Sequence, residues 1–199
     1  MNVGLIVDLS LLTILITIAF FVARCGLWQA ALVFLDLLLA ASLATAWYEP
    51  VAEYLQKYLA PYTYFLDITA IWVLFMVPLL VLMTATQQVG KKTVRFPKWV
   101  DLAGSILIGL MTAWTVIEFA GFSLHVAPVR NEAVPLPPAK SMFFGFGPDS
   151  RWLWWVRGGS RNGPFAVPDH PFDSDGDFFA RHAKRREGIA EQPSLILPE

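Results

Sequence analysis

The sequence predicts an all-α, polytopic membrane protein: four transmembrane helices, one short interfacial helix and a mostly irregular polar C-terminal tail. Three observations carry that prediction. Of the 199 residues 56% are hydrophobic and only 16% charged, too few charges for an ordinary soluble surface. Four apolar runs before residue 123 reach the roughly 20 residues that cross a hydrocarbon core at about 1.5 Å per residue. Charge is also unevenly spread. Residues 1–123 hold 6 of 15 basic and 7 of 16 acidic side chains, and the remainder holds 9 of each. The chain divides accordingly into a four-helix module, 1–123, and a tail, 124–199.

The first span runs from Val3 to Ala23, with Asp8 as its only charge. Arg24-Cys25-Gly26 forms a tight turn into a second span, Leu27 to Trp47. From Glu49 to Pro61 the pattern changes. Pro50 suits the first turn of a new helix, where its missing N–H costs nothing. Val51, Tyr54, Leu55, Tyr58 and Leu59 recur at helical spacing opposite Glu53, Gln56 and Lys57, which reads as an amphipathic helix at the headgroup level. The third span, Asp67 to Thr86, contains Pro78, whose ring opposes the Leu74 carbonyl and places any bend between those two residues.

A basic connection, Gln87 to Lys98, leads to the fourth span, Asp101 to Phe122. Here Ser105, Gly109 and Ala113 stand four apart and line one helical stripe, the pattern that lets two backbones approach closely in lipid. Packing inside the monomer is favoured over a dimer contact, because four short-looped helices need close contacts of their own. The tail opens with a Pro-rich linker, Val126 to Lys140, and carries a short amphipathic segment near 148–157. Pro148 and Asp149 suit a helix start, and Trp152, Trp155 and Val156 share one face, with Arg151 and Arg157 placed to snorkel.

Short loops set orientation. Arg24 in the first connection, with Lys91, Lys92, Arg95 and Lys98 in the third, puts the basic loops in the cytoplasm and both termini outside it.

Asp36, near the middle of the second span, is the sharpest anomaly: a carboxylate there is costly unless paired, protonated or facing water. It fits either a proton-sensitive site or a single interhelix hydrogen bond. Asp8, Asp67 and Glu118 fall towards the same outer side and would form a shallow acidic vestibule if they converged. Asp101 suits the dipole of its own helix, with Lys98 or Arg95 as partner. Other chemistry is poorly supported. Cys25 is the only cysteine, so an internal disulfide or cysteine cluster is excluded. The run DHPFDSDGD (169–177) fails as a calcium loop, because Gly176 falls at the fourth position from Asp173 and Lys184 at the twelfth. It reads as a solvated acidic turn. His125, His170 and His182 show no ligand spacing, so no metal or cofactor is expected. With a net charge of −1, nucleic acid is not expected as a partner; the lipid bilayer is, with further copies of the chain or other membrane proteins beside it.

The module resembles the colicin V production protein (CvpA) family of bacterial inner-membrane proteins. The resemblance rests on Asp8 early in the first span, the tight turn with Arg24 and Gly26, and Asp101 opening the fourth span ahead of Ser105, Gly109 and Ala113. In that family an aspartate is followed by glycines four, eight and twelve positions on; here one glycine survives and two other small residues replace the rest. The family's Arg-Glu pair inside the second span matches Trp28 and Gln29 here. The resemblance covers roughly residues 5–120. It implies a multi-pass protein linked to colicin V production or export and to envelope homeostasis, a process rather than a mechanism. The reading favoured within it is a non-enzymatic accessory or scaffold in toxin export or envelope homeostasis, with export or envelope membrane proteins as partners. The alternative from the residues themselves is a small oligomeric channel or proton-coupled transporter built around Asp36.

Overall fold

A computed structural model describes residues 3–59, 62–89, 94, 96–129, 134, 141–162, 172–173 and 175–190. It contains α1 (Val3–Ala23), α2 (Leu27–Gln56), α3 (Thr63–Val89), α4 (Lys98–Val126), α5 (Pro148–Asn162) and α6 (Phe178–Ala190), and no strand among the described residues. The first four helices are long and apolar enough to cross a membrane. The chain is a multi-pass, all-helical membrane protein.

The spans stand in a row, α1 against α4, α4 against α2, and α2 against α3. The two outer helices present apolar side chains outward, including Leu5, Leu9, Ile16 and Phe20 of α1 and Val73, Val77, Leu80 and Val81 of α3. Such a surface suits lipid, where no water competes for the side chains. Polar groups within α1 are satisfied locally: Ser10 and Thr13 donate to the Ile6 and Leu9 carbonyls at 2.8 and 2.9 Å. In the middle of the row, Ala40, Ala41 and Ala44 of α2 are fully buried, small enough for neighbouring helices to come close.

Two expectations need correction. The second span and the Glu49–Pro61 segment are not separate helices, because α2 continues to Gln56 with Pro50 inside it. Proline removes one hydrogen bond, and packing on both sides of it holds the helix: Tyr48 is buried against Phe122 and Phe172, and Ala52 is buried one turn beyond. The tail likewise carries two helices rather than one short segment. Its aromatic residues complete the core: Phe178 stacks on Phe122 at 4.7 Å, and Trp152 meets Phe119 edge-on at 5.8 Å. Each such pair contributes about 0.5–1.5 kcal/mol beyond its burial. The core therefore runs across residue 123 and includes Trp152, Leu153, Val156, Phe172 and Phe178.

Candidate functional site

The row has two ends. At the turn end, Gly26 adopts a φ of 81°, open to glycine at little cost, and leads directly into α2. The first backbone N–H of that helix, on Leu27, donates to Asp101 Oδ1 at 2.9 Å. Asp101 occupies the first turn of α4, so one carboxylate serves the positive ends of two helices. A Cβ on Gly26 would meet both Asp101 oxygens, at 3.4 and 3.5 Å. The Arg24 guanidinium lies 4.0 Å from the centre of the Phe20 ring. The partner of Asp101 is thus a backbone amide across the turn, a contact that no spacing within α4 announces; Arg95 lies outside the described residues, as do Lys91 and Lys92.

The small stripe faces inward. Ser105, Gly109 and Ala113 are buried, and a Cβ added to Gly109 would sit 2.9 Å from the Ala19 carbonyl oxygen and 3.1 Å from the Ala23 nitrogen. Here α1 and α4 meet backbone to backbone.

Asp36, Glu118 and Asp8 each meet a different partner. Asp36 is buried, with its Oδ2 2.7 Å from Thr86 Oγ1 on α3. Glu118 accepts from Trp114 Nε1 at 2.6 Å, within its own helix. Asp8 accepts from the Phe143 and Phe144 amides at 2.9 and 3.2 Å. Both phenylalanines have left-handed backbones, φ 53° and 52°, at a cost of about 1–2 kcal/mol each. The hydrogen bonds these two amides donate to the Asp8 carboxyl group, about 0.5–1.5 kcal/mol each, offset part of that strain and hold the 141–147 turn against α1. Asp67, the third acid of the expected vestibule with Asp8 and Glu118, pairs with Arg185 of α6. Each of these carboxylates has its own partner.

The tail end holds a polar layer between the spans and the two tail helices. His125, on the last turn of α4, is fully buried, and its Nε2 lies 2.8 Å from Asp149 Oδ2 in the first turn of α5. Arg186 donates to the His125 carbonyl. Trp152 and Trp155 donate through Nε1 to Thr45 and Ser42 of α2, at 3.0 and 3.1 Å. Arg157 does not snorkel: it donates through Nε to Asp173 Oδ2 at 2.6 Å. Asp173 is buried and also accepts from the Phe178 amide at 3.0 Å, which starts α6, so this acid of the expected solvated turn is a cap, while Asp175 and Asp177 are exposed. Asp169 and His170 lie outside the described residues.

His182 sits within this layer, 7% exposed, with Nδ1 2.9 Å from the Phe178 carbonyl oxygen. Burial is the chief cause that lowers its pKa to about 4, and Arg181, Arg186 and His125 push the same way. The unfolded value is about 6.5, so the undocked helix takes up a proton first as pH falls. Stability from this group is complete above about pH 6.5 and is lost between 6.5 and 4, an expected decrease of about 3 kcal/mol in α6 docking. Hydrogen exchange of residues 178–190 across that range checks it, and His182→Gln should flatten this component.

Sequence reasoning missed the partners more than the residues. Thr86, Trp114, Thr45 and Ser42 look unremarkable in their runs, and the His125–Asp149 contact bridges 24 positions through a linker that carries no spacing signal. Only Pro148-Asp149, a helix start, marked one half of it.

Comparison with known proteins adds one match. A family model described as colicin V production protein covers residues 7–146, which takes in the four spans and also the turn that Asp8 holds. No curated protein and no solved structure matches.

Proposed function

This chain belongs to the colicin V production protein family, and we propose that it acts there as an accessory or scaffold membrane protein in toxin export or envelope homeostasis, without an enzymatic activity of its own. It resides in the bacterial inner membrane, with its basic loops in the cytoplasm and its folded tail on the opposite face. The observation that carries the reading is how the carboxylates of the spans are used. Asp8 holds the tail turn, Asp101 the start of α2, Asp67 the tail helix, and Glu118 a neighbouring indole. Acids spent on internal donors build a rigid platform for partners, which are export or envelope membrane proteins or further copies of the chain.

Asp36 supports a second reading, a small oligomeric channel or proton-coupled transporter. Thr86 Oγ1 lies 2.7 Å from Asp36 and also 2.9 Å from the Leu82 carbonyl oxygen, and a hydroxyl has one proton to give. Its single proton is therefore shared between the helix carbonyl and the buried carboxylate, and a weakly satisfied acid inside a span is the feature on which the transport reading rests.

Ion flux from liposomes containing the purified protein, followed from pH 5 to 8, separates the readings. The scaffold reading expects no flux above empty vesicles from native protein and none from Asp36→Asn. Flux that depends on pH and vanishes in the variant would replace it with the transport reading.

A further inference from the structure

At the tail end α2, α3 and α6 enclose a cleft of about 350 Å³ that the packing described above does not fill. Its walls are charged on both sides. Glu49, Glu53 and Gln56 line the α2 side, Asp67 the α3 side, and Arg181 and Arg185 the α6 side. Part of this charge is already satisfied: Arg185 pairs with Asp67 and donates through Nη2 to the Thr63 carbonyl at 2.9 Å, which ties α6 to α3.

The rest is held more loosely. Arg181 gives its Nε to Asp177 at 2.7 Å, leaving Nη2 at 3.6 Å from Glu49, a loose contact between side chains 47% and 32% exposed. Glu53 stands one helical turn beyond Glu49 on the same wall, exposed, and makes no ion pair among the described residues. Asp173 Oδ1 lies 3.9 Å from the same Arg181 Nη2, and Glu49 also accepts from the Tyr48 hydroxyl at 3.2 Å, so Arg181 and Glu49 are loosely engaged and Glu53 makes no ion pair among the described residues.

The surroundings fix the depth. Tyr54 and Tyr58, with rings 5.4 Å apart, and Tyr62 are exposed at this end of α2 and α3. Tyrosines of this kind gather where lipid headgroups meet water. The volume equals the liquid share of about a dozen waters, room for a headgroup and not for acyl chains.

We propose that this cleft binds a zwitterionic aminophosphate, with its ammonium between Glu49 and Glu53 and its phosphate beside Arg181, supplied by the headgroup of an amine-bearing phospholipid. Charge complementarity selects the class. A simple anion would satisfy Arg181 and meet two carboxylates, and a simple cation would do the reverse. A primary ammonium brings three donors to the two acids, which a quaternary ammonium cannot do. Arginine on phosphate is likewise a charge-assisted contact, in reach of a guanidinium whose Nη groups are only partly committed. This inference stands apart from the scaffold reading, and a flux result of either kind leaves it unchanged.

The test is a titration of the full chain in detergent with dihexanoyl phosphatidylethanolamine, dihexanoyl phosphatidylcholine, dihexanoyl phosphatidylglycerol and free phosphoethanolamine. Saturable binding of the first, about tenfold tighter than of the second and third, is expected. Glu53→Gln should weaken it about tenfold, with circular dichroism and exchange of α6 unchanged, because Glu53 is exposed and supports no described contact. Equal binding of phosphatidylglycerol overturns the zwitterion. Undiminished binding by Glu53→Gln overturns the placement, and no saturable binding overturns the site. Free phosphoethanolamine binding as tightly as the lipid would keep the aminophosphate class and overturn the lipid as its source.

Discussion

Replacing Gly109 with alanine is expected to destabilise the bundle by about 1–3 kcal/mol, and replacing it with leucine to remove the folded state altogether. The added Cβ would lie 2.9 Å from the Ala19 carbonyl oxygen and 3.1 Å from the Ala23 nitrogen. Both are backbone atoms of α1, so relief requires the whole helix to move away from α4. In lipid that contact has no hydrophobic drive to replace it, since lipid tails cover the separated faces as well as another helix does. Gly104 supplies the control on the same helix. Its Cβ would come still closer to a neighbour, 2.7 and 2.8 Å, but the neighbours are the Leu27 methyl carbons. A side-chain rotation of about 0.5–1.5 kcal/mol relieves that clash. Thermal unfolding of the purified variants, with elution volume as a check on assembly, should therefore rank Gly109→Ala well below Gly104→Ala. Equal losses at the two positions would show that backbone approach is not what Gly109 provides.

That contrast also marks how much was legible in the sequence. The four spans were, because each is a run of apolar residues whose length the bilayer itself dictates. The small stripe of α4 was legible as a pattern, yet four-residue spacing names no partner, and only the structure gives Ala19 and Ala23 of α1. Pro50 misled, since a proline reads locally as a helix start, while the burial of Tyr48 and Ala52 on either side of it is a tertiary matter. The acids were visible, but the roles of three of them depend on donors 50 to 135 positions away: Thr86 for Asp36, Leu27 for Asp101, Phe143 for Asp8. The tail was hardest to read. Its linker hides which helix faces it meets, and its helices owe their place to buried pairs such as His125 with Asp149.

That pair gives the second large effect. His125→Leu is expected to cost about 3–5 kcal/mol of tail docking, because it leaves the Asp149 carboxylate fully buried without its partner. Among the described residues Asp149 Oδ1 already lacks a partner, so the lost contact at Oδ2 is not made up there by the other oxygen. The contact between Arg186 and the His125 carbonyl uses the backbone and survives the substitution. The expected readout is faster hydrogen exchange across residues 148–162, with iodide reaching the normally buried Trp152. Adding Asp149→Leu should recover most of the loss, since apolar side chains commonly replace a buried pair without penalty, less about 0.3–1 kcal/mol for a carboxylate removed from the first turn of α5. Recovery in the double variant would assign the damage to an orphaned charge. A double variant as poorly docked as the single one would assign it to the shape of the imidazole, which packs 4.6 Å from the Phe179 ring. Unchanged protection in His125→Leu itself would mean that the aromatic cluster around Trp152 and Phe178 holds the tail without help from the pair.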